Sequence, residues 1–171
     1  MSDHVSPVGY YSMARGNLIG ASHIYRALPT EQERNINPCI QFLLGFTVEG
    51  YFKALLAHKN YKLHQLIAIG HNLKKAMQKA GDEGIALPGY PKLKFVVDNL
   101  ALGHLKHHYR YLPSNPDGSD KEFTMVYPSL AFEALAPLDE IVFKEIQAEI
   151  NADESCLGLP TTTNWPGAPI L

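Results

Sequence analysis

Three histidines lie within residues 104–108, and their spacing permits metal binding or proton transfer. His104 is followed by His107 and His108, three and four residues later, so all three would share one face of a helix. Two imidazoles at this spacing can share a metal ion, with a carboxylate such as Glu49 supplied by another helix. The same spacing suits polar residues that hydrogen-bond at the end of a helical bundle. We favour that interpretation over a metal site at His104 and His108.

Arg110 is the best single candidate for binding a negatively charged group. Its guanidinium can form paired hydrogen bonds with phosphate or carboxylate, and Lys106 lies one turn earlier on the same face. The flanking tyrosines could stack on a base, so the patch is of a kind that binds nucleotides or RNA. The alternative is that Arg110 pairs with a carboxylate, Glu49 or Asp98, and fixes the helix end.

The helix that would position this chemistry is predicted between Pro38 and His58. Apolar residues recur at helical spacing through residues 40–56 and surround more than one face, so we expect this helix to be central. Glu49 and Lys53 lie four residues apart inside it, either as a surface ion pair or as a buried polar feature.

A second helix is predicted to start near His71 and Asn72. The simpler interpretation is that one of these residues caps the helix. The alternative is that His71 points into a groove shared with Arg110.

The remaining elements predict an all-α, antiparallel bundle of four or five helices, because no segment alternates as a strand would. Further helices are expected over 12–28, 91–111 and 128–151, with a kink or split at Pro137. Residues 1–9 are expected to be a loose lead and 30–37 a polar connector, whereas 61–70 could be helix or extended loop. Gly16 and Gly20 could allow close helix contact. Residues 1–171 would form one domain, with the bundle over about 12–151 and an irregular, proline-rich tail over 152–171.

Composition narrows the class of protein. The chain has 171 residues and a formal net charge of −2, so no global basic field draws it to nucleic acid. Cys39 and Cys156 lie far apart, which gives neither a disulfide framework nor a zinc knuckle. We expect a cytoplasmic protein without a membrane span, because the sequence has no secretory signal and its apolar runs are short. No P-loop, dinucleotide or hydrolase motif indicates a cofactor.

Three short motifs follow one another along the chain: Glu49-Gly-Tyr-Phe-Lys53-Ala-Leu-Leu56, His71-Asn-Leu73 and Tyr109-Arg110-Tyr111-Leu-Pro113. Together they resemble the HEPN superfamily, whose members have a similar Glu-x-x-x-Lys-Ala-Leu-Leu helix, a His-Asp-Leu helix start and an Ala-Arg-Tyr-Pro-like helix end. The resemblance covers roughly residues 12–151. It implies an antiparallel bundle, commonly a homodimer, that is linked to nucleotide or RNA binding, often in toxin–antitoxin or defence settings.

The ligand site implied by the resemblance combines these motifs with the histidine cluster. Its residues would be Glu49, Lys53, His71, His107, Arg110 and Tyr111.

This chain departs from the nuclease pattern of the family. Many HEPN ribonucleases carry an arginine followed four to six residues later by a histidine, and none of the four arginines here has one. The chain looks more like the non-catalytic helical domains that accompany nucleotidyltransferases. We therefore predict a bundle that binds a nucleotide, RNA or a partner protein, such as a nucleotidyltransferase or an antitoxin, without catalysis.

Two alternatives stay open. The first is a metal-independent ribonuclease with a rearranged site, in which Arg110 stabilises the transition state and His107 or His108 transfers protons. The second is a structural dimerisation protein, in which these side chains serve packing and the tail packs on its own subunit or on another.

Overall fold

The computed structural model describes residues 5–87, 90–109 and 124–152, and within these ranges every regular element is an α-helix. Five helices have ten or more residues and three are shorter. In chain order they are α1 (Pro7–Ala27), α2 (Glu31–Ile36), α3 (Pro38–His58), α4 (Leu63–Ile69), α5 (Leu73–Asp82), α6 (Tyr90–Leu105), α7 (Pro128–Glu145) and α8 (Gln147–Ala152). The all-helical class predicted from the sequence is confirmed for this part of the chain.

Helix α1 begins earlier than its apolar stripe indicates. Its N-cap is Ser6, whose hydroxyl accepts from the backbone N–H of Gly9, and Pro7 occupies the first turn. A proline is favoured there because the N–H it lacks would have no helical partner. The prediction of a loose lead up to residue 9 and a start at Ser12 is therefore wrong.

Helix α2 replaces the connector expected over residues 30–37. Thr30 and Glu33 form a reciprocal capping box: the threonine hydroxyl accepts from the Glu33 N–H, and the glutamate accepts from the Thr30 N–H. Two backbone donors are satisfied in this way, which is enough to form a single exposed turn of helix. The segment over 61–70, left open between helix and loop, contains the helix α4.

Helix α3 is the centre of the fold. Fifteen of its 21 residues are buried, and it contacts α1, α5, α6 and α7. The N-cap Asn37 accepts from two backbone N–H groups in its first turn. Near the same end, Gln41 donates to the carbonyl of Val126 and accepts from its N–H, so the segment before α7 is held on α3.

The closest approach of α1 to α3 occurs at Gly50. A Cβ on Gly50 would lie 2.7 Å from the Cβ of Ala14, whereas one on Gly16 would meet nothing within 4 Å and one on Gly20 only a leucine methyl at 3.5 Å. The close contact expected at the two α1 glycines is therefore made by a glycine of the partner helix.

The last long helix is interrupted later than its sequence indicates. Pro137 lies inside α7, and the break comes at Ile146, between α7 and α8. Of the two alternatives predicted at Pro137, a kink or a split, the split is therefore wrong, because α7 continues through the proline. The proline-rich tail lies outside the described residues, apart from its first residue.

Among the described helices, α3 is the one long and apolar enough to cross a bilayer. This differs from the expectation that every apolar run is too short. However, 78% of the qualifying window is buried inside the fold, as in the core helix of a soluble protein.

Candidate functional site

The carboxylate of Glu49 is where three separate parts of the chain meet. One oxygen, Oε2, lies 2.8 Å from Nδ1 of His71 and 2.6 Å from Nε2 of His104. The other oxygen, Oε1, accepts a hydrogen bond from the Lys53 ammonium at 2.7 Å. We call these four residues the Glu49 cluster.

Each member is positioned by an ordinary helical feature. Glu49 and Lys53 are one turn apart on α3 and so share a face. His71 precedes α5, whose N-cap is Asn72, and it follows Gly70, which has a positive φ of 60°. His104 is near the end of α6 and lies on the inward stripe of that helix.

Two uncharged residues of α3, Gly45 and Phe46, lie against the histidine rings. Gly45 lies one turn before Glu49, and a Cβ there would fall 2.5 Å from Nδ1 of His104, so only glycine leaves room for the imidazole. Phe46 contacts both rings edge-on, with centroids 4.7 Å from His104 and 5.8 Å from His71. The two imidazoles are nearly perpendicular and 5.4 Å apart.

The cluster is strongly biased toward an ionised glutamate. Burial raises the pKa of Glu49, but hydrogen bonds from His104, Lys53 and His71 outweigh it and lower the pKa to about 2. An ionised carboxylate only accepts hydrogen bonds, so His71 Nδ1 and His104 Nε2 must carry hydrogens that they donate to it. Glu49 therefore fixes the orientation of both rings.

His71 is the member that reaches solvent. Its side chain is 39% exposed, compared with 2% for His104 and 9% for Glu49. With Nδ1 turned toward Glu49, Nε2 lies on the far edge of the ring. A buried carboxylate that orients a partly exposed imidazole in this way can serve ligand binding or proton transfer.

His107 adds a third imidazole ring to those of His71 and His104. Its ring packs against His71 with a centroid separation of 5.0 Å, and its backbone has a φ of 57° in the turn after α6. Tyr109 fixes that turn: a Cβ on Gly103 would be 2.2 Å from its ring, and its hydroxyl donates to the Thr124 carbonyl at 2.8 Å.

An apolar cleft lies toward the N-terminal end of α3, about two helical turns before Glu49. It has a volume of about 270 Å³ and its described lining includes Cys39, Phe42, Leu43 and Tyr109. The Phe42 ring contacts Phe46 at 4.7 Å, so aromatic rings connect the cleft to the histidines.

The structure brings together four of the six predicted ligand-binding residues: Glu49, Lys53, His71 and His107. The other two, Arg110 and Tyr111, lie outside the described residues. The contacts predicted for Arg110 therefore stay predictions. The two interpretations of the His71–Asn72 pair are complementary, since Asn72 caps α5 by accepting from the Lys75 N–H while His71 turns to Glu49.

The possible metal ligands differ from the pair that the spacing suggests. His71, His104 and Glu49 present ligand atoms within 4.8 Å of one another. Across the described residues, His108 is not part of a group of this kind. The pair His104 and His108 stays an untested candidate, whereas the histidine grouped with His104 in the structure comes from 33 residues earlier, at His71.

A second buried polar cluster carries no sequence signal that we recognised. The Tyr51 hydroxyl donates to Asp139 at 2.7 Å, and Arg15 donates to the Tyr11 hydroxyl at 3.1 Å. Burial raises the pKa of Asp139, although the Tyr51 hydrogen bond and the Arg15 charge oppose the change. Tyr51 follows Glu49 by two residues, about 200° around α3, so this cluster lies on the opposite side of the helix.

Comparison with known proteins adds no relative: no family model, no curated protein and no solved structure matches the chain. The resemblance to the HEPN superfamily therefore stays a prediction.

Proposed function

We propose that this chain is a HEPN-like, antiparallel helical bundle that binds a nucleotide, free or as part of an RNA, at the Glu49 cluster. The observation that carries the proposal is the pairing of a buried, ionised Glu49 with His71, whose far ring nitrogen is directed away from the carboxylate. A polar group fixed at the edge of an apolar recess is the usual composition of a small-ligand site.

The arrangement suits the two halves of a nucleotide. A phosphate would bind at the Nε2 edge of His71, beside His107. Because Nδ1 already carries the hydrogen donated to Glu49, Nε2 donates to the phosphate when His71 is in its imidazolium form. A base would occupy the cleft at Phe42 and Tyr109, where aromatic rings offer stacking worth about 1–3 kcal/mol per base. Arg110 follows Tyr109 directly in the chain and would supply a further phosphate contact.

Thermal unfolding with a panel of nucleotides and short RNA oligomers tests this proposal. Chelator-treated full chain should be stabilised by at least one of them. A ligand at 100 times its Kd adds about 2.7 kcal/mol, which is about 5–10 °C in Tm for a chain of this size.

Two histidine variants make the result specific. His71→Ala should lose most of the shift, whereas His64→Ala, which removes an exposed histidine of α4, should keep it. If no nucleotide or RNA stabilises the native chain, binding at this cluster is refuted, and a role in partner binding or dimer structure takes its place.

A second candidate is metal-independent RNA cleavage, favoured by the same Glu49–His71 pair. A carboxylate that holds an imidazole in one tautomer prepares the other nitrogen to accept or deliver a proton. This differs from the assignment of proton transfer to His107 or His108. Cleavage should then persist with chelator, be retained in His64→Ala and be lost in both His71→Ala and Arg110→Ala; cleavage that survives His71→Ala excludes this role.

The predicted homodimer finds support on the outer face of α6. Phe95 and Leu102 lie seven residues apart on the same face, and their side chains are about half exposed. Light scattering should give twice the chain mass of 19.0 kDa, and charged substitutions at both positions should reduce it to one. A monomeric native chain would remove dimerisation from the proposal.

The resemblance also predicts a toxin–antitoxin or defence setting and a nucleotidyltransferase or antitoxin partner. These stay predictions of the resemblance.

A further inference from the structure

We propose that Glu49, His71 and His104 form a binding site for a divalent transition metal of the Zn²⁺ class. The inference does not depend on nucleotide binding, because a metal would use Nδ1 of His71 whereas the proposed phosphate contact uses Nε2 on the other edge of the ring.

The composition of the group selects the ion. Two imidazoles and one carboxylate form a ligand set found in zinc sites that keep an open position. Mg²⁺ and Ca²⁺ prefer oxygen ligands, which are one of three here. With three protein ligands, the fourth position would be completed by water or an anionic ligand.

The distances require only local adjustment. Zinc binds imidazole nitrogen and carboxylate oxygen at about 2.0–2.2 Å, which separates neighbouring tetrahedral ligands by about 3.4 Å. The carboxylate-to-nitrogen distances of 2.6 and 2.8 Å would have to lengthen by less than about 1 Å. The two ring nitrogens, which lie within 4.8 Å of each other, would have to approach by up to about 1.4 Å. Small rotations of Glu49 and the two rings can supply this change.

Metal binding would replace the hydrogen bonds from the two rings to Oε2 of Glu49. A neutral imidazole has only to move its hydrogen to the other ring nitrogen: to Nε2 in His71 and to Nδ1 in His104. The nitrogen that faces the metal then presents its lone pair.

Groups around the three ligands act as a supporting shell. Lys53 holds the second carboxylate oxygen, Oε1, and so directs Oε2 toward the histidines, as outer-shell partners do in metal proteins. Phe46 packs against both rings. The Lys53 charge also repels a cation, so it lowers the affinity while it fixes the geometry.

Another histidine on α3 provides an internal comparison. His58 has Nδ1 2.6 Å from Glu149 and Nε2 3.9 Å from Glu145, so it contacts two carboxylates, and within the described residues it is not part of a three-ligand group. Its carboxylates are more than one-third exposed. If nearby acidic groups were enough for a histidine to bind Zn²⁺, His58 would bind it as well.

Calorimetric titration of the chelator-treated full chain, free of any polyhistidine tag, with Zn²⁺ alone tests the proposal. One saturable site per chain is expected, and Co²⁺ in its place should give the visible absorption of tetrahedral cobalt. His71→Ala should weaken Zn²⁺ binding by at least 100-fold and abolish the cobalt band. His58→Ala and His64→Ala should leave both signals unchanged.

Folding is checked separately, because a failed fold would also abolish binding. The circular dichroism and urea midpoint of His71→Ala identify that case, and Glu49→Gln supplies a second, nearly isosteric variant with the same expected loss. No saturable Zn²⁺ site in the native chain, binding retained in folded His71→Ala, or binding lost in His58→Ala would each overturn the inference. Because the nucleotide shift is measured without metal, the two proposals can fail independently.

Discussion

Replacing Glu49 by glutamine should remove a buried negative charge that is held by an ion pair and two further hydrogen bonds. The side chain keeps its size, but its negative charge is lost while Lys53 remains buried beside it. Oε1 and Oε2 together accept three hydrogen bonds in the native chain. An amide can accept with one oxygen only, and its NH₂ group must face a donor.

The expected magnitude follows from the carboxyl pKa. Folding lowers it from 4.5 to about 2, and at roughly 1.4 kcal/mol per pKa unit this corresponds to about 3 kcal/mol. Removing one partner of a buried ion pair costs a similar amount, about 3–5 kcal/mol. We therefore expect Glu49→Gln to lower the free energy of unfolding by about 3 kcal/mol at pH 7.

The pH dependence of this loss identifies its cause. Because the folded pKa of Glu49 lies below the unfolded value, the stabilisation is complete above about pH 5 and disappears as pH falls from about 4.5 to about 2. The difference between native chain and variant should shrink over the same interval, since a protonated glutamate resembles glutamine.

Urea unfolding at pH 7, 5, 4 and 3 measures both effects. With an m-value of about 2 kcal/mol/M, the urea midpoint at pH 7 should fall by about 1.5 M. Glu145→Gln is the matched control, because Glu145 is an exposed carboxylate beside His58; it should change stability by less than about 0.5 kcal/mol. A Glu49→Gln cost below about 1 kcal/mol at pH 7, or one that does not vary with pH, would refute the reasoning.

Two other predictions concern packing and the second polar cluster. Gly50→Ala should destabilise the chain by about 1–3 kcal/mol, because the new Cβ would collide with α1. Gly16→Ala should stabilise it by up to about 1 kcal/mol, since the space around that position is open. Urea unfolding of the two variants tests this, and equal effects would contradict the close contact at Gly50. Tyr51→Phe should cost about 1–3 kcal/mol at pH 7 because it removes a donor to buried Asp139. Burial raises the pKa of Asp139, so the charged form of this side chain loses population as pH falls. The destabilisation caused by Tyr51→Phe should therefore be smaller at pH 4 than at pH 7. A destabilisation that does not vary with pH would show that the hydrogen bond to the charged form is not its source.

The sequence was most informative where a pattern is local. Apolar residues on several faces of 38–58 predicted a central helix, and a spacing of four predicted the contact between Glu49 and Lys53. The capping box at Thr30 and Glu33 is also visible in the sequence, but the residues around it have no apolar stripe that would indicate a helix. Capping acts without such a stripe, so short exposed helices are missed by periodicity alone.

The geometry of the Glu49 cluster depends on tertiary packing and so lay beyond the sequence. Nothing in the spacing tells which histidines reach one oxygen of Glu49, because His71 and His104 come from different elements. One clue was present: His104 continues the buried stripe of α6, so an inward position could have been expected. The second clue was Gly45, one turn before Glu49, which marks where another group approaches α3.

The contact between Tyr109 and Thr124 has an evolutionary consequence. The hydrogen bond from the Tyr109 hydroxyl to the Thr124 carbonyl joins two points that lie 15 residues apart in the chain, between α6 and α7. Lengthening the chain between them costs little, since each doubling of a loop adds only about 0.6 kcal/mol of closure entropy. The number of residues between these two points can therefore vary among related sequences at little cost in stability.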